Sequence, residues 1–257
     1  MNKYGKYLYI IGVYTFLYLP IVTVIIFSFN NAKHSLVWQE FTFKWYAVLF
    51  HDSTLIRAVW HSLVLGILAA TNATIIGTII SVSLFRYRFF GKKILHAIIF
   101  ILILTPEIVT AVSLLILYSF IKIPLGFWTL LFAHTTLCIP FVAMTVYSRI
   151  TTLDTIIFEA AMDLDATDFT IFRKIIIPLL LPAIAAAWLL SFTLSLDDVI
   201  ISYFVSGPTF DILPLKIYSM VRLGVKPEVN ALCTLMLAFT LLGTIASYQI
   251  IFKKKPA

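Results

Sequence analysis

Inside its long apolar runs the chain carries a few polar and aromatic side chains, and these are the groups able to do chemistry. Glu107 stands about halfway along the run Ile94 to Phe120, directly after Pro106. A carboxylate at that depth in a bilayer costs roughly 2.5–3.5 kcal/mol even on insertion-based scales, so it lines a polar path or pairs with a group between helices. Trp188, Ser191, Ser195 and Asp198 step by 3, 4 and 3 residues, which puts an aromatic ring, two hydroxyls and a carboxylate on one helical face. That stripe is either a cavity wall or a packing seam whose serines bond a neighbouring helix. Asp197 points elsewhere if the helix continues, and either aspartate can be a solvated residue at the end of the run. His134, alone near one end of another apolar run, is expected to be a satisfied interfacial residue and not a ligand.

The elements that must carry these residues follow from composition. Of 257 residues 61% are hydrophobic and only 12% charged, with a mean hydropathy of +1.01, where soluble domains are about a quarter charged. Six runs are long enough to cross about 30 Å of hydrocarbon: Tyr7 to Phe29, Ser62 to Phe85, Ile94 to Phe120, Phe127 to Ser148, Ile175 to Leu196 and Val229 to Phe252. Backbone groups in lipid must be satisfied within the segment, and the runs lack the alternation of barrel strands, so all six are expected to be helices. The first run exceeds a signal-peptide core and is read as a retained span. The expectation is an all-α polytopic membrane protein with six transmembrane helices in a single domain, 1–257.

The net charge of +7 does not point to nucleic acid, because the basic residues sit in short gaps between apolar runs and form no stripe on a soluble face. It sets topology instead. With the N-terminus inside, Lys3, Lys6, Arg86, Arg88, Lys92, Lys93, Arg149, Arg173, Lys174, Lys253, Lys254 and Lys255 are cytoplasmic, 12 of the 19 basic residues, as the positive-inside rule requires. Lys33, Lys44, Arg57, Lys122, Lys216, Arg222 and Lys226 fall outside, beside the interfacial aromatics Trp38, Trp45, Tyr46 and Trp60. Both termini are thus expected in the cytoplasm. Cys138 and Cys233 have no metal-ligand spacing and are expected to be packing residues. No HExxH, GxSxG or P-loop pattern occurs, which argues against an enzyme and against ATP binding by this chain. Six spans without paired repeats are few for a self-sufficient secondary transporter.

The most specific segment is the expected cytoplasmic loop 149–174, within TTLDTIIFEAAMDLDATDFTIFRKIIIPLLLPAI. Its pattern predicts a short helix over Asp154 to Leu164, a break near Asp165, and a second helix capped by Thr167 or Asp168 that runs into the fifth span. Ile157, Ala160, Ala161 and Leu164 would share an apolar face, with Glu159 and Asp163 as i, i+4 neighbours on another. An amphipathic connector lying on the membrane accounts for the same periodicity. The order Glu159, Ala160, Ala161, Leu164, Ala166, Ile176, Pro178 and Pro182 resembles the EAA loop of bacterial ABC importer permeases. Asp165 stands where that family usually has Gly, a position needing positive φ that Asp tolerates.

Further stretches are similar to the spermidine/putrescine permeases of that family: Arg86 to Phe89, TPEIV at 105–109, SFTLSLDDVIISYFVSGP at 191–208 and ILPLKIYSMVRLGVKPEVNA at 212–231. The resemblance implies the type I ABC importer permease architecture in a bacterial inner membrane and import of polyamines from periplasm to cytoplasm. It further implies three partners: a second homologous permease subunit, a cytoplasmic ATPase dimer docking on Glu159, Ala160, Ala161, Asp163, Leu164, Asp165 and Ala166, and a periplasmic polyamine-binding protein. No cofactor is expected on this chain, ATP and Mg being used by the ATPase. A substrate path through Glu107, Trp188, Ser191, Ser195 and Asp198 would suit an elongated polyamine, whose ammonium groups need anions or π faces. Single cysteines placed between Arg149 and Lys174 are expected to resist a membrane-impermeant thiol reagent applied from outside. Labelling there would rule out the six-span topology.

Overall fold

The structure, a computed structural model, describes residues 3–32, 37–222, 224 and 227–252. Lys33, Lys226 and Lys253 to Lys255 of the topology argument lie outside the described residues. Twelve helices are described: α1 Lys3–Phe27, α2 Lys44–His51, α3 Ser53–Arg86, α4 Lys92–Leu104, α5 Glu107–Phe120, α6 Phe127–Ile150, α7 Ile156–Asp163, α8 Asp168–Ile171, α9 Ile177–Asp197, α10 Ile200–Val205, α11 Leu213–Arg222 and α12 Pro227–Phe252. The described residues contain no strand, only an isolated antiparallel bridge between Asn30 and Phe41.

Among the described residues four helices are long and apolar enough to cross a membrane: Gly5–Phe27, Ser53–Arg86, Phe127–Ile150 and the continuous Asp168–Asp197. The expected third span, Ile94 to Phe120, is not one helix. It breaks at Thr105 and Pro106 into α4 and α5, bent by 111°, and would be a fifth span only if the pair is counted together. The cause is local: proline has no N–H and drives the residue before it into extended backbone, and Thr105 adopts φ −71, ψ 128. At 13 and 14 residues each half is about 20 Å long, too short to cross alone. The sixth expected span falls on α12, 26 residues long.

By packing the chain divides into two compact units. The first comprises Met1–Arg57 with Lys216–Ala257. In it α12 packs against α1 and α2, and the turn after α1 is tied by Asn30, whose carbonyl accepts the Trp45 indole N–H at 2.8 Å. Tyr46 bonds Ser28 at 2.7 Å. Asp52 caps the start of α3: its carboxylate accepts the Thr54 hydroxyl at 2.7 Å and the amides of Thr54 and Leu55. Those bonds, the hydroxyl first, hold its carboxyl below the usual range.

The second unit, Ala58–Leu215, carries every residue of the expected sites. Small residues on α3 let helix backbones approach closely. A Cβ on Gly77 would lie 2.7 Å from the Val142 side chain and 3.1 Å from the Ala143 nitrogen on α6. One turn on, the buried Ser81 hydroxyl sits between the carbonyls of Gly77 and Ala143, at 2.7 and 2.8 Å. The core then runs along α6 through Cys138, Val142, Val146 and Ile150 to Leu180 and Ala187 of α9. Gly77→Ala is expected to destabilise the unit by about 1–3 kcal/mol through overpacking at a site with no slack. A lowered thermal midpoint of the purified protein, without loss of helical signal at low temperature, checks it.

Candidate functional site

The 149–174 loop is built as the pattern predicts, with its faces turned. Asp154 accepts the Ile156 amide at 3.0 Å to open α7, and Asp165 ends it at φ 56. The Ala166 amide reaches back to the Ala161 carbonyl at 3.1 Å and the Asp165 amide to the Met162 carbonyl at 3.0 Å. That pair of bonds is the Schellman stop, which normally uses Gly at the left-handed residue. Thr167, not Asp168, then caps α8, accepting the Thr170 amide at 3.3 Å.

The apolar face expected through Ile157, Ala160, Ala161 and Leu164 is mostly exposed. Ala161 is buried, but Ile157, Ala160 and Leu164 are exposed, Leu164 to 83%. The residues facing the core are Phe158 and Ala161, clustered with Ile150, Ile171 and Ile176; they lie three apart on one face, about one residue, 100°, round the helix from Ile157 and Ala160. Glu159, Asp163 and Asp165 are exposed beside Leu164. The loop thus presents apolar side chains rimmed by carboxylates.

From α8 the chain continues without a break into α9 through one widened turn, Phe172–Ile176. Pro178 cannot donate to the Lys174 carbonyl, and the turn ahead of it opens to i→i+5 spacing, the Ile177 amide reaching Phe172. Asp168, at the foot of this helix, is ion-paired with Arg86 at the end of α3. Arg86 and Asp168 also flank a groove with Tyr87, Phe169 and Phe172.

The polar residues expected along a path are distributed over two environments. Glu107 is exposed and occupies the first position of α5, not mid-helix as the sequence suggests. Its carboxylate there meets the positive end of the helix dipole. Trp188 stacks on Phe192 at 5.4 Å and donates to the Thr71 hydroxyl at 3.1 Å, beside a shallow apolar recess with Thr74 and Ile184. Ser191, Ser195 and Asp198, expected as a cavity wall with Trp188, are buried against α6. The reason is geometric: α9 ends at Asp197, so Asp198 leaves the helical stripe and caps α10, accepting the amides of Ile201 at 3.2 Å and Ser202 at 2.8 Å. Asp197 is exposed. No hydrogen bond or ion pair joins Glu107 to Asp198 among the described residues.

His134, set aside on sequence grounds, is fully buried at the centre of this cluster. Its Nδ1 lies 2.7 Å from Ser195 Oγ and its Nε2 2.9 Å from Ser202 Oγ. The spacing of three and then four residues between Ser195, Asp198 and Ser202 was the signal in the sequence that a partner was needed there.

The family profile described as binding-protein-dependent transport system inner membrane component matches residues 62–254. The chain belongs to that family. The spermidine/putrescine transport system permease protein PotC of Escherichia coli K12 is 52% identical over 95% of this chain and 92% of its own length. Its namesake from Haemophilus influenzae is 49% identical, covering 94% of each, and the putrescine transport system permease protein PotI of Escherichia coli K12 is 43% identical over 91% of this chain and 86% of that one. Among solved structures, a bacterial ABC transporter importing the polysaccharide alginate superposes with a TM-score of 0.75 at 16% identity, over 98% of this chain and 96% of that one. The MetNI methionine ABC transporter does so at 0.67 and 21%, over 79% and 96%. The fold is therefore that of ABC importer permeases, and the chain is an inner membrane component of such an importer.

In this permease the aspartate at the usual glycine position carries a testable cost. A left-handed backbone costs an ordinary L-residue about 1–2 kcal/mol, while glycine adds about 0.5–1 kcal/mol of unfolded-chain entropy. Asp165→Gly is expected to keep the fold and change stability by less than about 1 kcal/mol, and Asp165→Val to lower it by about 1–2 kcal/mol. Thermal unfolding of the two variants side by side decides it.

Proposed function

We propose that this chain is one of two permease subunits of an ATP-driven importer that moves polyamines, spermidine or putrescine, from periplasm to cytoplasm. The observation that carries this reading is the 52% identity to PotC across 95% of the chain, which leaves no segment of the permease unmatched large enough to house a different transport site. Putrescine is the amine named for both PotC and PotI relatives. In this proposal the chain crosses the bacterial inner membrane six times with both termini cytoplasmic, and it assembles with a second homologous permease, a cytoplasmic ATPase dimer that binds ATP and Mg, and a periplasmic polyamine-binding protein.

The exposed Leu164, Ile157 and Ala160, rimmed by Glu159, Asp163 and Asp165, suit docking of the ATPase. Apolar anchors beside charges supply contact area and orientation together. Along the path, Glu107 at the break of the α4–α5 pair and the partly open Trp188 ring offer an anion and a π face to a passing ammonium. Ser191, Ser195 and Asp198 support that wall from behind.

Reconstitution of the complete complex with its binding protein is the test, reading ATPase stimulation and uptake for spermidine, putrescine and an unrelated amino acid. Stimulation by a polyamine alone is the expected result, and stimulation by the amino acid alone would overturn the substrate. Glu107→Gln, which keeps size and removes charge, is expected to cut polyamine uptake about 10-fold or more with complex assembly intact, the scale of one lost charged hydrogen bond. Glu159→Lys is expected to uncouple ATP hydrolysis from uptake without blocking insertion.

A further inference from the structure

The cluster around His134 is the part of the molecule that the coupling loop and the proposed path leave unexplained. His134 on α6, Ser195 in the last turn of α9, and Asp198 and Ser202 across the α9–α10 break are all buried. The Ser202 hydroxyl donates to Asp198 Oδ2 at 2.7 Å. With that proton committed, its oxygen accepts from His134 Nε2 at 2.9 Å. On the other side of the ring Nδ1 is hydrogen-bonded to Ser195 Oγ at 2.7 Å. Nε2 also stands 3.5 Å from Asp198 Oδ2.

This chain of hydrogen bonds spans the break from both sides. Ser195 belongs to α9 and Ser202 to α10, and the imidazole hydrogen-bonds both. Between the two helices the backbone is extended at Asp198, φ −68 and ψ 121. The break also sorts two adjacent carboxylates, Asp198 buried and Asp197 exposed.

We propose that His134 is a positioning residue for transport: held between Ser195 and Ser202, it locks the α9–α10 break in the register that buries Asp198 and presents Asp197. The role rests on the transport reading above, and it concerns the arm through Ser202 more than the arm through Ser195, since only the former reaches the carboxylate. Glutamine at 134 can place its amide N–H where Nε2–H lies and keep that arm, whereas leucine fills similar space and keeps neither.

The test compares His134→Leu, His134→Gln and Ser202→Ala in the complete reconstituted complex, with polyamine uptake expressed per assembled complex. His134→Leu and Ser202→Ala are each expected to lose uptake at least 10-fold at saturating substrate with the half-saturating concentration within twofold of wild type. His134→Gln is expected to keep at least a third of it. The double variant His134→Leu/Ser202→Ala is expected to be no worse than either single one, because both cut the same chain. Equal uptake per complex in His134→Leu or Ser202→Ala overturns the proposal, and so does a loss wholly matched by lost complex in both, which makes the cluster a folding element only. Should His134→Leu fail to assemble, Ser202→Ala alone decides. A wild-type complex that carries no polyamine would instead sink the transport reading itself, an outcome distinct from a transporting wild type that His134→Leu matches.

Discussion

The constraint on which the rest depends is that a polar group surrounded by apolar side chains has no water to turn to, so each must find its partner within the fold. Along an unbroken helix the backbone meets that demand by itself. Where a helix stops, the demand passes to side chains, and the two breaks in the second unit meet it differently. At Thr105 and Pro106 proline removes a donor, the Thr105 amide still reaches Ile101 at 2.9 Å, and Pro106 accepts the Val109 amide at 2.9 Å. No buried charge is required, and the helix turns by 111°. At Asp198 no proline is present, and the freed amides of α10 are satisfied by a carboxylate. A buried carboxylate in turn needs further donors, and Ser202 and His134 are its cost.

That demand shapes the packing around it. α6 and α9 lie against each other along Cys138, Leu180 and Ala187, while Gly77 and Ser81 of α3 bring a third backbone to Val142 and Ala143. Small residues at these crossings matter because association between helices in lipid gains little from removing apolar area, so close packing and internal hydrogen bonds must supply it. The same closeness fixes His134, one turn before Cys138 on α6, at a height where it meets both sides of the α9–α10 break.

How much of this was legible follows the range of each interaction. Local signals read correctly: Asp165 takes the left-handed turn, Thr167 caps the next helix, and the apolar runs are helical. The run Ile94 to Phe120 was read as one span, yet at Pro106 the chain bends by 111°, since Thr105 is driven into extended backbone. Helical periodicity mislocated Asp198 because the stripe from Trp188 assumed that α9 continues one residue longer than it does. On α7 the core side is taken by Phe158, which meets Phe85 with ring centroids 6.0 Å apart, while Ile157 is exposed. His134 was passed over because its partners lie 61 and 68 residues away, and no local pattern records a bond of that range.

The proposed coupling loop and the His134 cluster lie at opposite ends of one rod. Asp168–Asp197 is a continuous helix of 30 residues, about 45 Å at 1.5 Å per residue, with the 149–174 loop at its foot and the His134 cluster at its head. Its only irregularity is the widened turn Phe172–Ile176, and the Arg86–Asp168 ion pair ties the foot to α3 just below that turn. A packed interior moves as rigid elements between discrete arrangements, so a displacement imposed on the loop reaches the head of α9 nearly undiminished unless the widened turn absorbs it. At the head, Ser195 and Asp198 are held to α6 through His134, and α10 is capped by the same carboxylate. Whatever moves the foot must therefore either carry α6 and α10 along as one body or break the hydrogen bonds at His134, and these two alternatives set what the proposed ATP-driven stroke at the loop could do at the far end of the helix.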